Sequence, residues 1–128
     1  MATIMVIEDD QQTARMVAKL LRVRGHTVET VQTGEEGFLK IMEKAPNLVL
    51  IDLGLPDIDG QTVIAIIRQQ ADLSTVPVIA FTAWPPDIAR QMAKAYSCDG
   101  VITKPIDTRA FPDQIEAFLK QSTPAHKD

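Results

Sequence analysis

LVLIDLGLPDIDG, residues 48–60, is the stretch on which the fold turns. Four apolar residues run without alternation, as in a strand covered on both faces, and the run then stops at an acid, Asp52. Turn-forming residues follow, with Pro56 and Gly60 expected to shape the loop and Asp57 and Asp59 to act as turn and cap residues. A two-sided apolar strand needs helices on either face, so the flanking sequence should alternate strands with amphipathic helices.

It does. Strands are expected at 3–8, 27–31, 48–52, 76–81 and 100–103. Between them, apolar residues recur at helical spacing: Ala14, Val17, Ala18 and Leu21; Phe38, Ile41, Met42 and Ala45; Val63, Ile66 and Ile67; Ile88, Met92 and Tyr96; Phe111, Ile115, Phe118 and Leu119. Thr33 followed by Glu36 reads as a capping box, and Asp59 and Asp107 are candidate caps for the third and fifth helices. The first, third and fourth strands are continuously apolar, whereas TVETV alternates like an edge strand. Five βα units of this kind imply an α/β sandwich around a five-stranded parallel sheet.

The remaining composition narrows the function. At 128 residues there is room for one domain, expected over 1–121, with residues 122–128 as a polar tail containing Pro124. Net charge is −4 with scattered basic residues, which gives no attraction for nucleic acid or an anionic membrane. Cys98 stands alone, which excludes an internal disulfide and a cysteine zinc site; it is expected to be a buried small hydrophobe. The N-terminal MATIMVIEDD lacks the features of a signal peptide, so the expected location is the cytoplasm. His26 and His126 have no partners at metal-ligand spacing.

In a parallel α/β sheet, ligands bind beyond the carboxyl ends of the strands. Asp52 ends the third strand, and Glu8, Asp9 and Asp10 end the first, so carboxylates from two strands converge. Crowded like charges call for a hard divalent cation or a bound proton, and magnesium suits such a set. Asp10 is better read as a solvated acid at the start of the first helix. Thr82 and Lys104 bring a hydroxyl and an ammonium from the fourth and fifth strands. An acid nucleophile, a cation site, a hydroxyl and a positive charge together fit phosphoryl transfer.

With MVIEDD, DLGLPDIDG, FTA and TKP standing in this order at successive strand ends, the chain resembles the response-regulator receiver domains of two-component signalling over residues 3 to 120. The resemblance implies a flavodoxin-like (βα)5 sandwich with strand order 2-1-3-4-5. It implies Asp52 as phosphoacceptor, with Glu8, Asp9, Asp52 and the carbonyl of Gly54 holding magnesium, or manganese in its place. Thr82, the Ala83 amide and Lys104 would contact the phosphoryl group, and the Lys104–Pro105 bond would be cis. The implied donor is a histidine kinase or a histidine phosphotransfer protein. Output would run by contact with another protein, without direct DNA or membrane binding and without turnover of an outside substrate.

Other readings fit less well. A metal-dependent phosphatase of the haloacid dehalogenase type carries a second Asp two residues after its nucleophile, where this chain has Gly54. A degenerate receiver serving only for docking would lack an acid or the Lys, and both are present. A stand-alone receiver is expected, with a receiver cut from a larger regulator or hybrid kinase as the alternative. Trp84, two residues past Thr82, is expected either to pack on the loop into Pro85 and Pro86 or to cover the phosphoryl site. Val101 stands where many receivers carry a switching aromatic, so signalling is expected through the loop after the fourth strand and the fourth helix, with Val101 as packing.

Overall fold

The computed structural model describes residues 2–55 and 60–121. Pro56, Asp57 and Asp59, and the 122–128 tail with Pro124 and His126, lie outside the described residues. The order of elements is β1 (Thr3–Ile7), α1 (Gln11–Arg22), β2 (Thr27–Val31), α2 (Gly34–Glu43), β3 (Leu48–Asp52), α3 (Gly60–Gln69), a 3-10 turn (Ala71–Leu73), β4 (Val78–Thr82), α4 (Pro86–Ala95), β5 (Gly100–Thr103) and α5 (Phe111–Gln121). All strand pairs are parallel and the sheet order is β2-β1-β3-β4-β5, as the resemblance implied.

Alternation along the strands divides the core between two faces. Ile4, Val6, Leu48, Leu50, Ile79 and Phe81 pack with Val17, Ala18 and Leu21 of α1 and with Phe111 and Ile115 of α5. Met5, Ile7, Val49, Ile51, Val78 and Ala80 pack with Ile41 of α2, with Val63, Ile64 and Ile67 of α3, and with Ala93 of α4. Every residue of β3 and β4 is buried, which is why their sequences read as unbroken apolar runs.

Several boundaries and faces differ from the sequence reading. β1 stops at Ile7, so Glu8 lies just past it, though its amide still bonds the Val31 carbonyl at 3.0 Å. The fourth strand is displaced by two residues at its start and one at its end. The Val76 amide bonds Leu73 O at 3.1 Å, and Pro77 has no N–H to give the ladder. Thr82 is therefore the last residue of β4 and not the first beyond it.

α2 turns Met42 to solvent and buries Gly34, Gly37 and Ile41, and it ends at Glu43, before the exposed Ala45. A Cβ at Gly37 would come within 2.5 Å of Ile7 Cδ1, so the missing side chain allows the helix its close approach to the sheet. α4 behaves alike: Ile88 is exposed while Ala89 and Ala93 are buried. In both helices small residues share the contact: Ile41 and Tyr96 of the expected stripes do face the core, whereas Met42 and Ile88 do not.

Caps fall where polar residues invite them. Asp10 is the N-cap of α1, its carboxylate accepting from the Thr13 amide at 3.2 Å, which agrees with its reading as a helix-start acid. Thr33 Oγ1 accepts from the Glu36 amide at 3.1 Å. Asp107 Oδ1 accepts from Arg109 N and Ala110 N at 3.0 and 3.3 Å, closing the turn before α5. No helix among the described residues is long and apolar enough to cross a membrane.

Candidate functional site

At the carboxyl end of the sheet, β1, β3, β4 and β5 deliver their terminal groups to one place. Asp52 is buried at the end of β3, where Oδ1 accepts the Gly54 amide at 2.9 Å and Oδ2 lies 3.4 Å from Lys104 Nζ. The backbone beneath it is confined by α3. A Cβ on Gly60 would stand 2.8 Å from the Asp52 carbonyl oxygen and 2.9 Å from Leu53 Cα, so glycine lets the helix start directly against the strand end.

Glu8, Asp9 and Asp52 each offer a carboxylate oxygen within 4.8 Å of the others. Glu8 and Asp52 are buried and Asp9 is exposed, which leaves the cluster open to solvent on one side. Glu8 Oε2 accepts the Asp10 amide at 3.1 Å. Its Oε1 pairs with Lys104 Nζ at 2.7 Å, so one ammonium serves two buried carboxylates. Burial pushes the Glu8 carboxyl up to about 7, opposed by Lys104 and the Asp10 amide and reinforced by Asp52. Oxygen donors in this number and spacing, three carboxylates to one ammonium, suit a hard divalent cation.

Lys104 crosses the mouth of the cluster from the end of β5. Burial works against its charge, but the nearby carboxylates of Glu8 and Asp52 outweigh that and its pKa is raised, so the ammonium persists. The next peptide bond, Lys104–Pro105, is cis. Lys104 N donates to the Thr82 carbonyl at 2.7 Å, tying β5 to β4 at the site. Thr82 is buried, and its hydroxyl oxygen accepts the Trp84 amide at 3.1 Å, leaving the hydroxyl proton available. Ala83 is exposed beside it. All seven residues singled out in the sequence, Glu8, Asp9, Asp52, Gly54, Thr82, Ala83 and Lys104, thus lie at this one edge.

The sequence reading missed Phe81. Its ring lies under Lys104, with Nζ 4.8 Å from the centroid. The available signal was an aromatic next to Thr82 on a strand beside the one that ends at Lys104, but it was absorbed into the apolar run. His26 was set aside as a metal ligand and has a structural place instead: Nε2 meets Glu116 at 3.0 Å and Nδ1 accepts the Ala2 amide at 3.3 Å. That contact joins the start of the sheet to α5, away from the carboxylates. Cys98 is only partly buried, packed at the border of the core, and desolvation pushes its thiol up to about 11.

Comparison with known proteins agrees with this arrangement. The profile of the response regulator receiver domain family matches residues 4–116. Polar-differentiation response regulator DivK of Brucella ovis is 26% identical over 117 residues, covering 91% of this chain and 95% of that protein. Transcriptional regulatory protein AfsQ1 of Streptomyces coelicolor is 32% identical over 121 residues; the match takes 94% of this chain but 52% of AfsQ1, so the chain spans about half the length of that relative. The signal receiver domain of a signal transduction histidine kinase from Syntrophus aciditrophicus superposes with a TM-score of 0.84 at 27% identity, covering 94% of this chain and 92% of that one.

Proposed function

The chain belongs to the response regulator receiver domain family, and from that premise we propose that it is a phosphorylation-switched receiver of a two-component phosphorelay, with Asp52 as phosphoacceptor. The observation that carries this reading is the placement of Asp52. A buried carboxylate is held by the Gly54 amide and flanked by a buried Glu8, an exposed Asp9 and the ammonium of Lys104.

The donor is a phosphorylated histidine of a kinase or a histidine phosphotransfer protein. An oxygen of Asp52 attacks phosphorus, the P–N bond breaks, and its electron pair returns to the imidazole of the donor, leaving an acyl phosphate on Asp52. Lys104 pairs with the transferred oxygens, while the Thr82 hydroxyl and the Ala83 amide donate to them. Glu8, Asp9, Asp52 and the Gly54 carbonyl would hold magnesium, or manganese in its place. The ion would neutralise the crowded carboxylates and draw charge from the phosphoryl oxygens.

Thr82 moving toward the phosphoryl group draws the loop carrying Ala83 and Trp84 with it and shifts the start of α4, whose buried residues are the small Ala89 and Ala93. Val101 is partly buried against the core and stays in place as packing. A population shift in this loop and α4 needs only a few kcal/mol of differential binding. Output is contact with a protein partner in the cytoplasm, without turnover of an outside substrate and without direct binding to DNA or membrane.

Incubation with acetyl phosphate should add one phosphoryl group by intact mass only when magnesium is present, and none in Asp52→Asn. Labelling of Asp52→Asn at the parent rate would remove Asp52 from the role.

A further inference from the structure

Among the described residues, Glu8, Asp52 and Phe81 lie at the charged end of Lys104, and a divalent ion would compete for the first two. Glu8 Oε1 and Asp52 Oδ2 lie 2.7 and 3.4 Å from Nζ. A divalent ion among them would neutralise much of their pull before any phosphoryl oxygen is there to replace it. The third neighbour is the Phe81 ring, 4.8 Å from Nζ to its centroid. Its attraction for a cation comes from the ring quadrupole, which the ion does not alter.

We propose that Phe81 is a positioning residue for Lys104, its ring face keeping the ammonium beside Asp52 when metal binding withdraws the hold of the carboxylates and no phosphoryl oxygen has yet arrived. The packing supports this. Phe81 is buried in β4 directly across from Asp52 in register, and it sits among Ile79, Ile102, Phe111 and Ile115, which leave the ring no room to turn away. Lys104 is partly buried, so water weakens the contact less than at an open surface. The ring also leaves the ammonium's N–H groups to oxygen acceptors, where a further carboxylate would claim them.

The role of Phe81 in turnover rests on reading Asp52 as the phosphoacceptor, but its contact with Lys104 does not, and two measurements keep them apart. The first is proton NMR of the Lys104 ε-methylene in the unphosphorylated protein. Those protons should show the upfield displacement of a ring-stacked methylene both in metal-free solution and with saturating magnesium. Loss of the displacement on adding magnesium would overturn the proposal whatever Asp52 does.

The second replaces Phe81 site-specifically with mono- and trifluorinated phenylalanine, which keep the shape of the ring and drain its face. Phosphorylation by acetyl phosphate should slow stepwise, by about fivefold for the trifluorinated ring, the size of a partly desolvated cation–π contact. The same replacement in Lys104→Ala should change the rate little, because the groups act as one unit. Equal slowing in both backgrounds, or none in the parent, would overturn the proposal. A parent that takes no label at Asp52 contradicts the phosphoacceptor reading instead, and the NMR result stands apart from it.

Discussion

The two ends of the sheet both carry partly buried charge, and they treat it in opposite ways. At the amino end, Arg68 of α3 donates to the carbonyls of Ser97, Ser74 and Val76 and to Asp99 Oδ2 at 2.7 Å. Asp99 Oδ2 also accepts the Val78 amide at 2.8 Å, and Ser97 takes the left-handed backbone conformation that presents its carbonyl to the same guanidinium. Charge there is matched and its donors are used. At the carboxyl end, Glu8, Asp9 and Asp52 gather near one Lys104, so three carboxylates share a single ammonium. A matched end serves stability, whereas an end with surplus negative charge is arranged for something that arrives.

Removing the matched charge should do the greatest damage to folding. Arg68→Ala removes the donor shared by Asp99 and three carbonyls, of which that of Val76 is the least reachable by water, and should destabilise by about 1 to 2 kcal/mol, measured by urea unfolding. The loss should be similar with or without magnesium. A loss under about 0.5 kcal/mol would mean that the amino end is not the anchor described.

The opposite sign is expected at the carboxyl end. Glu8 has a folded pKa of about 7, above its unfolded value. Its stabilising contribution is therefore complete below the unfolded carboxylate pKa and is lost as pH rises through 7. In metal-free buffer, Glu8→Gln should gain about 1 to 2 kcal/mol over the parent at pH 8 and little at pH 5. A gain that does not depend on pH would place the effect in packing.

The smallest effects belong to groups near either end that water reaches. Arg24 pairs with Asp113 and Glu116, and Arg24→Ala should cost about 0 to 1 kcal/mol, less at high salt. Trp84 is 38% exposed, which leaves its ring partly free of the loop. Trp84→Ala should cost under about 1 kcal/mol in stability. A shorter acyl-phosphate lifetime in that variant would mean that the indole screens the site from water, and an unchanged lifetime would leave it as packing.

The contrast between the ends also explains what could be read in the sequence. The carboxyl end was legible because each group follows directly on a strand: Asp52 after LVLI, Glu8 and Asp9 after MVI, Lys104 after VIT. Topology alone then brings them together. The Arg68 anchor was not legible, since it reaches carbonyls and an acid 6 to 31 residues away, and backbone carbonyls carry no residue identity. Phe81 was hidden for another reason, because its side chain serves the core and the site at once. The partly displaced faces of α2 and α4 follow from contacts made by Gly37, Ala89 and Ala93, which hydrophobic periodicity underweights.

The central claim, that the carboxyl end carries surplus charge awaiting a divalent ion, is tested most directly by thermal unfolding at pH 8 with and without magnesium. At about ten times its dissociation constant the ion should add about 1.4 kcal/mol, a rise of about 4 to 6 °C for a domain of this size. Glu8→Gln should start higher and rise less. An unfolding midpoint that magnesium leaves unmoved in the parent would contradict the account.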